Sequence, residues 1–390
     1  MKKLICLMLV LLMAAACIPA IAGAVTPADA DEFFEGGSRA CKNNITVVDL
    51  HGTWYEMGRQ YGHLLSHELS NVAGLCEEII SAGEGNAATA ARTLDAQRAQ
   101  MPYTIRRFFA GMEETSGLTM YQLECANSVE RIAGLPRCSF AAAWDDYAAG
   151  DLVIGRNYDY GEIFKLLDHE VVITVFHPAD GAMAAATIGY AGEIYAVNGL
   201  NEAGIFLELN NASFSARVKA SDLRITGTTQ LLTMLFEADT LNLMDVYFNS
   251  LLNSSSYVIN AADSESVHSY EWCASGAKRG DGWAEESGVF ASTNHYLSPE
   301  WGFEAPDEVA SLQTSQRRLN LLALCEAKKG SIDPQAMMKI IDTRMEDGGS
   351  ANPYTVYQLV AVPATRTVWL KTIDQTEWSE FDLNAFFLNK

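Results

Sequence analysis

Past its first two dozen residues, this 390-residue sequence has no uninterrupted apolar run of the about 20 residues that a membrane-spanning helix needs. It has no internal repeat, no low-complexity tract and no long linker. CxxC and HExxH pairs are missing and the seven histidines are scattered, so the ligand spacing of a metal site is absent and neither metal nor cofactor is expected. Basic residues are scarce: 27 Lys and Arg stand against 49 Asp and Glu, a formal net charge of −22. Such a surface repels phosphate backbones and anionic lipid heads, which argues against a nucleic-acid partner.

With 49% hydrophobic residues, the chain can bury the core of one large domain or two ordinary ones. The stretch MKKLICLMLVLLMAAACIPAIAGA (1–24) has a dibasic start, an apolar run from Leu4 to Cys17 and small residues at Ala20, Ala22 and Ala24. That is the pattern of a secretory signal, so the chain is expected to be exported, to the periplasm or outside the cell. Met13 to Cys17 loosely resembles a lipoprotein box, with a lipid anchor at Cys17 as the variant. Export permits disulfides among Cys41, Cys76, Cys125, Cys138, Cys273 and Cys325. If Cys138 is a free nucleophile, at most two bridges can form.

Up to Cys138 the texture is mostly helical: Tyr55 to Ala82, then about Ala87 to Gln100, Pro102 to Glu114 and Thr119 to Ile132, the first closed by Gly83-Glu84-Gly85 and the last capped by Thr119 and ended by Gly134. After Pro136 it turns to alternating runs at Cys138–Trp144, Leu152–Tyr158, His169–Phe176, Met183–Tyr190, Ile194–Asn198 and Gly204–Asn210. Two helices are expected at Thr229–Glu237 and Leu241–Leu252, then strands at Ser256–Asn260, Val267–Trp272 and Gly288–Ser292. Helices at Leu312–Lys328 and Pro334–Arg344 precede a last hairpin, Tyr357–Val362 with Thr367–Thr372. Strand pairs alternating with helices imply an α+β layered protein with largely antiparallel sheets.

The hairpin RCSFAAAWDDYAAGDLVIGRNYDYG carries the chemistry. A thiol reacts as thiolate, and a free cysteine has a pKa of about 8.5, so something must take its proton. A cut between Arg137 and Cys138 would leave an α-amine beside the sulfur, with a pKa near 7.7–8.0, poised as general base. The second strand returns Arg156 and Asp159 to the level of Cys138, the first to hold charge near the thiolate, the second to orient the amine.

A cysteine heading a hairpin that ends in GRNYDY resembles the N-terminal-nucleophile (Ntn) hydrolases of the choloylglycine hydrolase and penicillin acyltransferase type. GLNEAGIFLELNN (199–211) is similar to the family's strand ending in an oxyanion-hole Asn, STNHY (292–296) to its Thr-Asn segment, TSQRRLNLL (314–322) to its Arg-bearing helix, and HGTWYEMGRQYGHLL (51–65) to the signature in the part released by self-cleavage. The resemblance implies a four-layer αββα sandwich of two antiparallel sheets and the following division: 1–24 signal, 25–137 helical segment released as a fragment that stays associated, 138–390 catalytic core. It implies Cys138 as nucleophile and base, Arg156 and Asp159 as its supports, Asn211 as oxyanion donor, Asn294 as orienter of substrate and amine, and Arg317 as a charged residue behind them. Asn210 competes with Asn211, because neighbours on a strand face opposite ways. Arg318 competes with Arg317, and Arg137 stands where some relatives have Gly.

The activity so implied is hydrolysis or acyl transfer at a linear amide bond of a small N-acyl substrate through a thioester. Penicillins, bile-salt conjugates, N-acyl amino acids and lipid amides all stay open. Tyr158, Tyr160, Trp144 and Tyr190 are candidates for an apolar lining, or plain core. The rival readings are a papain-like protease pairing Cys138 with His295, and an inactive secreted binding protein on the same fold.

Overall fold

The computed structural model describes residues 23–82, 86–133, 137–213, 216, 218–219, 224–279, 288–302 and 313–389. Residues 1–22 of the leader, with Cys17, and the expected helix ends at Gly83–Gly85 and Gly134 lie outside them. Among the described residues, two sheets hold all the named strands, and no helix is long and apolar enough to cross a membrane.

In chain order the strands are β1 (Glu32–Phe34), β2 (Gly37–Lys42), β3 (Ile45–Gly52), β4 (Ser139–Ala143), β5 (Val153–Asp159), β6 (Val171–Pro178), β7 (Ala185–Tyr190), β8 (Asn198–Asn201) and β9 (Phe206–Asn211). They continue with β10 (Tyr257–Ala262), β11 (Val267–Cys273), β12 (Gly276–Arg279), β13 (Val289–Ser292), β14 (Thr355–Val362), β15 (Thr367–Thr372) and β16 (Ser379–Asp382). The ten-stranded sheet runs β1-β2-β3-β6-β7-β8-β9-β10-β11-β12, and the six-stranded sheet runs β13-β4-β5-β14-β15-β16. Every pairing of these strands is antiparallel except β3 with β6, which is parallel.

The helices are α1 (Trp54–Leu64), α2 (Ser66–Ala82), α3 (Asn86–Gln100), α4 (Tyr103–Ser116), α5 (Met120–Ala126), α6 (Val129–Ala133), α7 (Gly227–Glu237), α8 (Leu241–Ser250), α9 (Thr314–Glu326), α10 (Pro334–Asp342) and α11 (Leu383–Phe387). α1, α7 and α8 pack on the larger sheet, while α9 and α10 cover the outer face of the smaller one. The inner faces meet across a core in which Phe140 and Ile154 join Leu200 and Phe206. The four-layer α+β architecture expected from the sequence is the one found.

Several local expectations need correction. Tyr55–Ala82 is two helices, because Leu65 leaves helical backbone at φ −119°, ψ 22°. Thr119–Ile132 is likewise two, parted at Asn127 and Ser128, although Thr119 does cap the start with Gln122 completing the box. The strand expected at Ile194–Asn198 forms at Asn198–Asn201 instead. A turn with Gly192 at φ +91° and the Glu193 carboxylate on Tyr190 N–H precedes an irregular buried stretch there. The segment ahead of Cys138 is not only helical, since β1 to β3 are three strands of the larger sheet.

The HGTWYEMGRQYGHLL signature explains how that segment is attached. Thr53 and Glu56 form a capping box that starts α1. On the face toward α4, a Cβ on Gly58 would stand 2.0 Å from the Phe108 carbonyl oxygen, and one on Gly62 would stand 2.5 Å from that of Met112. From the other side, a Cβ on Gly111 would meet the Tyr55 carbonyl at 2.1 Å, so the two backbones touch where side chains would hold them apart. Gln60, buried, accepts from His51 N–H at 2.9 Å and donates to the carbonyls of His51 (2.8 Å) and Glu35 (2.9 Å). Tyr61 Oη accepts from Gly192 N–H at 2.8 Å, tying the segment to the rest of the larger sheet. These residues dock helices and strands; they do not reach the hairpin head.

Candidate active site

Cys138 stands directly before β4, and β4 pairs with β5 so that Ser139 faces Asn157 and Phe140 faces Arg156. Small alanines let the smaller sheet pack closely here, with Ala141 and Ala142 fully buried. Cys138 is 2% exposed, and its Sγ lies 3.9 Å from the Asp159 carbonyl oxygen, which also accepts from Arg137 N–H at 2.9 Å. The hairpin thus brings its tail back to its head. Burial pushes the thiol's pKa up, Arg156 pulls it down, and Asp159 pushes it up again.

Arg317, on α9, inserts a fully buried guanidinium at the same point. Its Nη1 donates to the carbonyls of both Arg137 and Cys138, the second at 2.7 Å, and its Nη2 donates to Asn294 Oδ1 at 2.8 Å. Asn294 Nδ2 in turn donates to the Asn211 carbonyl at 2.9 Å. Burial lowers the Arg317 pKa to about 10 against the pull of Asp159, which still leaves it charged at neutral pH. Arg318, its neighbour, goes elsewhere and donates to the Ala291 carbonyl at 3.0 Å.

Asp159 is fully buried. Its Oδ2 accepts from Asn352 Nδ2 at 2.5 Å, and Oδ1 has no hydrogen-bond partner among the described residues. Burial raises this carboxyl to about 6, with Arg317 pulling it back. A buried acceptor with an open lone pair costs stability unless something fills it.

Arg156 faces the other way, into the space between the sheets. It pairs with Glu208 of β9, and its Nη2 donates to the Leu209 carbonyl at 2.6 Å. Glu208 also receives the side-chain amides of Asn210 and Asn260, and both of these donate to Ser292 Oγ, at 3.2 Å and 2.7 Å. The result is a charged network pinning one sheet to the other directly behind the hairpin. Removing one member leaves the other charge buried and unpaired, a change that costs about 3–5 kcal/mol. Glu208→Ala is therefore expected to lower unfolding stability by that amount in chemical denaturation, and a change below about 1 kcal/mol would show the pair to be energetically idle.

The two asparagines of β9 divide as the pleat requires. Asn210 belongs to this inter-sheet network. Asn211 is partly exposed, and its Oδ1 accepts from Ser213 N–H at 2.9 Å, which leaves Nδ2 as its donor end.

Sequence reasoning missed Glu208, Asn352 and Thr314, whose Oγ1 accepts from Asn294 N–H at 3.0 Å. Glu208 alone had a signal, being one acidic residue inside the apolar run GIFLELNN. His295 shares Thr314 Oγ1 (2.7 Å) and Thr293 Oγ1 (3.1 Å), and no described hydrogen bond joins it to Cys138. Burial and the two arginines hold it down at about 4, so it is a weak base. Tyr158, Tyr160 and Tyr190 are buried, with Tyr158 stacked on Tyr357 at 4.4 Å between ring centroids. Trp144 is partly buried against the same core. The six described cysteines are all free.

No protein-family model matches the sequence, and no curated protein matches it. Solved structures do. One is the Caenorhabditis elegans ortholog of N-acylethanolamine-hydrolyzing acid amidase, with TM-score 0.44 and 18% identity, covering 58% of this chain and 93% of that one. Another is a mutant of conjugated bile acid hydrolase from Clostridium perfringens, with TM-score 0.44 and 14% identity over 63% of this chain and 92% of that one. A third is penicillin V acylase from Agrobacterium tumefaciens, with TM-score 0.43 and 11% identity over 64% and 87%.

Proposed function

We propose that the chain is an exported, self-cleaving cysteine Ntn hydrolase that splits linear amide bonds of small N-acyl substrates. The observation that carries this reading is the grip of Arg317 on the carbonyls of Arg137 and Cys138, at the head of a hairpin whose tail holds a buried, half-satisfied Asp159.

The bond to be cut is Arg137–Cys138. Cys138 Sγ adds to the Arg137 carbonyl carbon, and Arg317 Nη1, already bonded to that oxygen, stabilises the charge that develops on it. The C–N bond breaks, the thiol's proton passes to the nitrogen, and water hydrolyses the thioester to give the Arg137 carboxylate and free thiol. The new α-ammonium supplies the partner that Asp159 Oδ1 lacks in the intact chain.

The same atoms then serve turnover. The α-amine takes the thiol proton, the thiolate adds to the acyl carbonyl of the substrate, and the protonated amine returns the proton to the leaving nitrogen. Asn211 Nδ2 and a backbone N–H hold the oxyanion, each donor worth about 2.7–4 kcal/mol. Water releases the acid. Asn294, fixed between Arg317 and the Asn211 carbonyl, keeps the donor strand and the nucleophile in one register. The export part of the proposal rests on the leader pattern alone. The papain-like reading would need His295 to leave Thr314 for the thiol.

The decisive measurement is N-terminal sequencing of the purified protein. Two fragments are expected, the second beginning at Cys138 and co-purifying with the first, because β1 to β3 lie in the same sheet as β6. An active single chain would sink self-cleavage.

A further inference from the structure

The two tyrosines of GRNYDY have no part in the chemistry proposed above, yet a single residue on the other side of Cys138 holds both. Ser139 faces Asn157, and Arg137 N–H bonds the Asp159 carbonyl, so the ladder sets Cys138 opposite Tyr158. Side chains paired in this way share a face, with Cβ atoms about 4.5–5.5 Å apart, and both belong to the core between the sheets. Tyr158 is thus the side wall of the nucleophile. Its ring stacks on Tyr357 with centroids 4.4 Å apart and on Tyr160 at 5.6 Å, and the Arg156 guanidinium lies 5.5 Å from its centroid. Its hydroxyl donates to Glu130 Oε1, while the Tyr160 hydroxyl donates to the Glu130 carbonyl at 2.7 Å.

Glu130 sits on α6, whose entry is pinned from two sides. Asn127 Oδ1 accepts from Ile194 N–H at 2.8 Å, and Ser128 Oγ donates to Gln97 Oε1 of α3 at 2.5 Å. The helix itself packs on α2. Stacking fixes the plane of the Tyr158 ring but not its place within that plane; the bond to Glu130 supplies the second constraint. Burial raises the Glu130 pKa, and the Tyr158 hydroxyl and the Arg156 charge pull it down. In either protonation state an oxygen remains to accept from Tyr158.

We propose that Glu130 is a positioning residue of the enzyme: by holding Tyr158, it fixes the wall against which the Cys138 sulfur and the Arg156 charge are aligned for attack. Under the cleavage proposed above Glu130 belongs to the first fragment, which makes that fragment a working subunit; in this clause the inference rests on that reading. Glu130 needs no contact with substrate. A misplacement of about 1 Å at a reacting group can cost about 10²-fold in rate.

A double-variant cycle tests this. Glu130→Ala removes the acceptor, Tyr158→Phe removes the donor and keeps the ring, and Glu130→Gln keeps an acceptor oxygen without the charge. In full chain, processed as purified, two rates are read: release of 4-nitroaniline from its N-octanoyl amide, and alkylation of Cys138 by iodoacetamide, followed by mass spectrometry of its peptide. Glu130→Ala and Tyr158→Phe are each expected to lower kcat by roughly tenfold or more with KM within about threefold, because alignment and not binding is lost. The double variant should be no slower than the slower single, since both changes delete one bond. Glu130→Gln should stay within about threefold of the parent, as a neutral acceptor retains that bond in weaker form. Two independent losses that multiply to roughly 100-fold in the double variant overturn the proposal, as does parental kcat in Tyr158→Phe. Should Glu130→Ala not fold, Tyr158→Phe alone decides by the same criterion. Alkylation needs neither substrate nor cleavage, and there the two singles and the double are expected to shift by one common factor; parental rates in all three overturn the proposal. A parent that hydrolyses no amide would sink the proposed function, while the alkylation cycle would still decide the role of Glu130.

Discussion

Cys138→Ser is expected to leave the chain largely uncut and to remove nearly all amide hydrolysis. The thiol is the nucleophile at the hairpin head, and the intact chain holds it against ionisation by burial, with Arg156 as the charge that favours thiolate over thiol. A serine hydroxyl in that place is smaller and much harder to deprotonate, so it is a poorer nucleophile in a site shaped around sulfur, and in the uncut chain no α-amine is freed beside it. Removing the nucleophile of a serine protease costs about 10⁶ in turnover, and a loss of at least roughly 10³ is expected here. Processing should slow in the same variant, because the same sulfur adds to the Arg137 carbonyl. Cys325→Ser is the control: that thiol is buried among Leu321, Ile332 and Met337, away from the hairpin head. It should lose about 1–3 kcal/mol of stability from a buried hydroxyl and keep its specific activity and its cut. Amide release and fragment appearance on a denaturing gel measure both. Equal loss in the two variants would assign Cys138 a structural role.

How far the sequence reached can be followed residue by residue. The β4–β5 hairpin was legible because alternation and an Ala-Gly-Asp turn are local signals, and its register puts Arg156 opposite Phe140 and leaves Asp159 beside Arg137. Arg317 was legible only through resemblance. Nothing within its helix says that its guanidinium, rather than that of Arg318, reaches carbonyls about 180 residues earlier. The partners that give the site its electrostatics were invisible for the same reason: Glu208 meets Arg156 across two sheets, and Asn352 meets Asp159 from a loop 193 residues on. Strands β1 and β2 are short runs among Gly and charged residues with little pattern of their own, whereas β3, ITVVDLHG, carries a legible run of β-branched residues that the helical texture after it overshadowed. His51 of β3 stands opposite His177 of β6 only through the one parallel pairing in the described sheets, a contact that no local rule anticipates.

Asp159→Asn should cut turnover by on the order of 10²-fold or more in enzyme that has already been cleaved, while leaving the fold intact. The carboxylate closes β5 beside the hairpin head, with Oδ2 fixed by Asn352 and Oδ1 open. In the cleaved enzyme that open oxygen is the seat proposed for the α-ammonium. An amide there still accepts from Asn352, but it has no charge with which to hold the amine for proton transfer, and a well-placed general base contributes about 10²–10⁴-fold. The stability side has a definite sign. In the intact chain the carboxyl titrates at about 6 against an ordinary value of 3.8, so between those values the unfolded chain gives up its proton before the folded one does. The folded state then binds more protons, and this group's contribution falls as pH rises from about 4 to 6 and stays lost above it. The Asp159→Asn side chain carries no such penalty, so the unprocessed variant at pH 7 should melt no lower than the parent. Its melting curve should also lose the part of the pH dependence between about 4 and 6 that Asp159 supplies. Near-normal turnover in the processed variant would place Asp159 outside the chemistry, and a large drop in melting temperature would make its role structural.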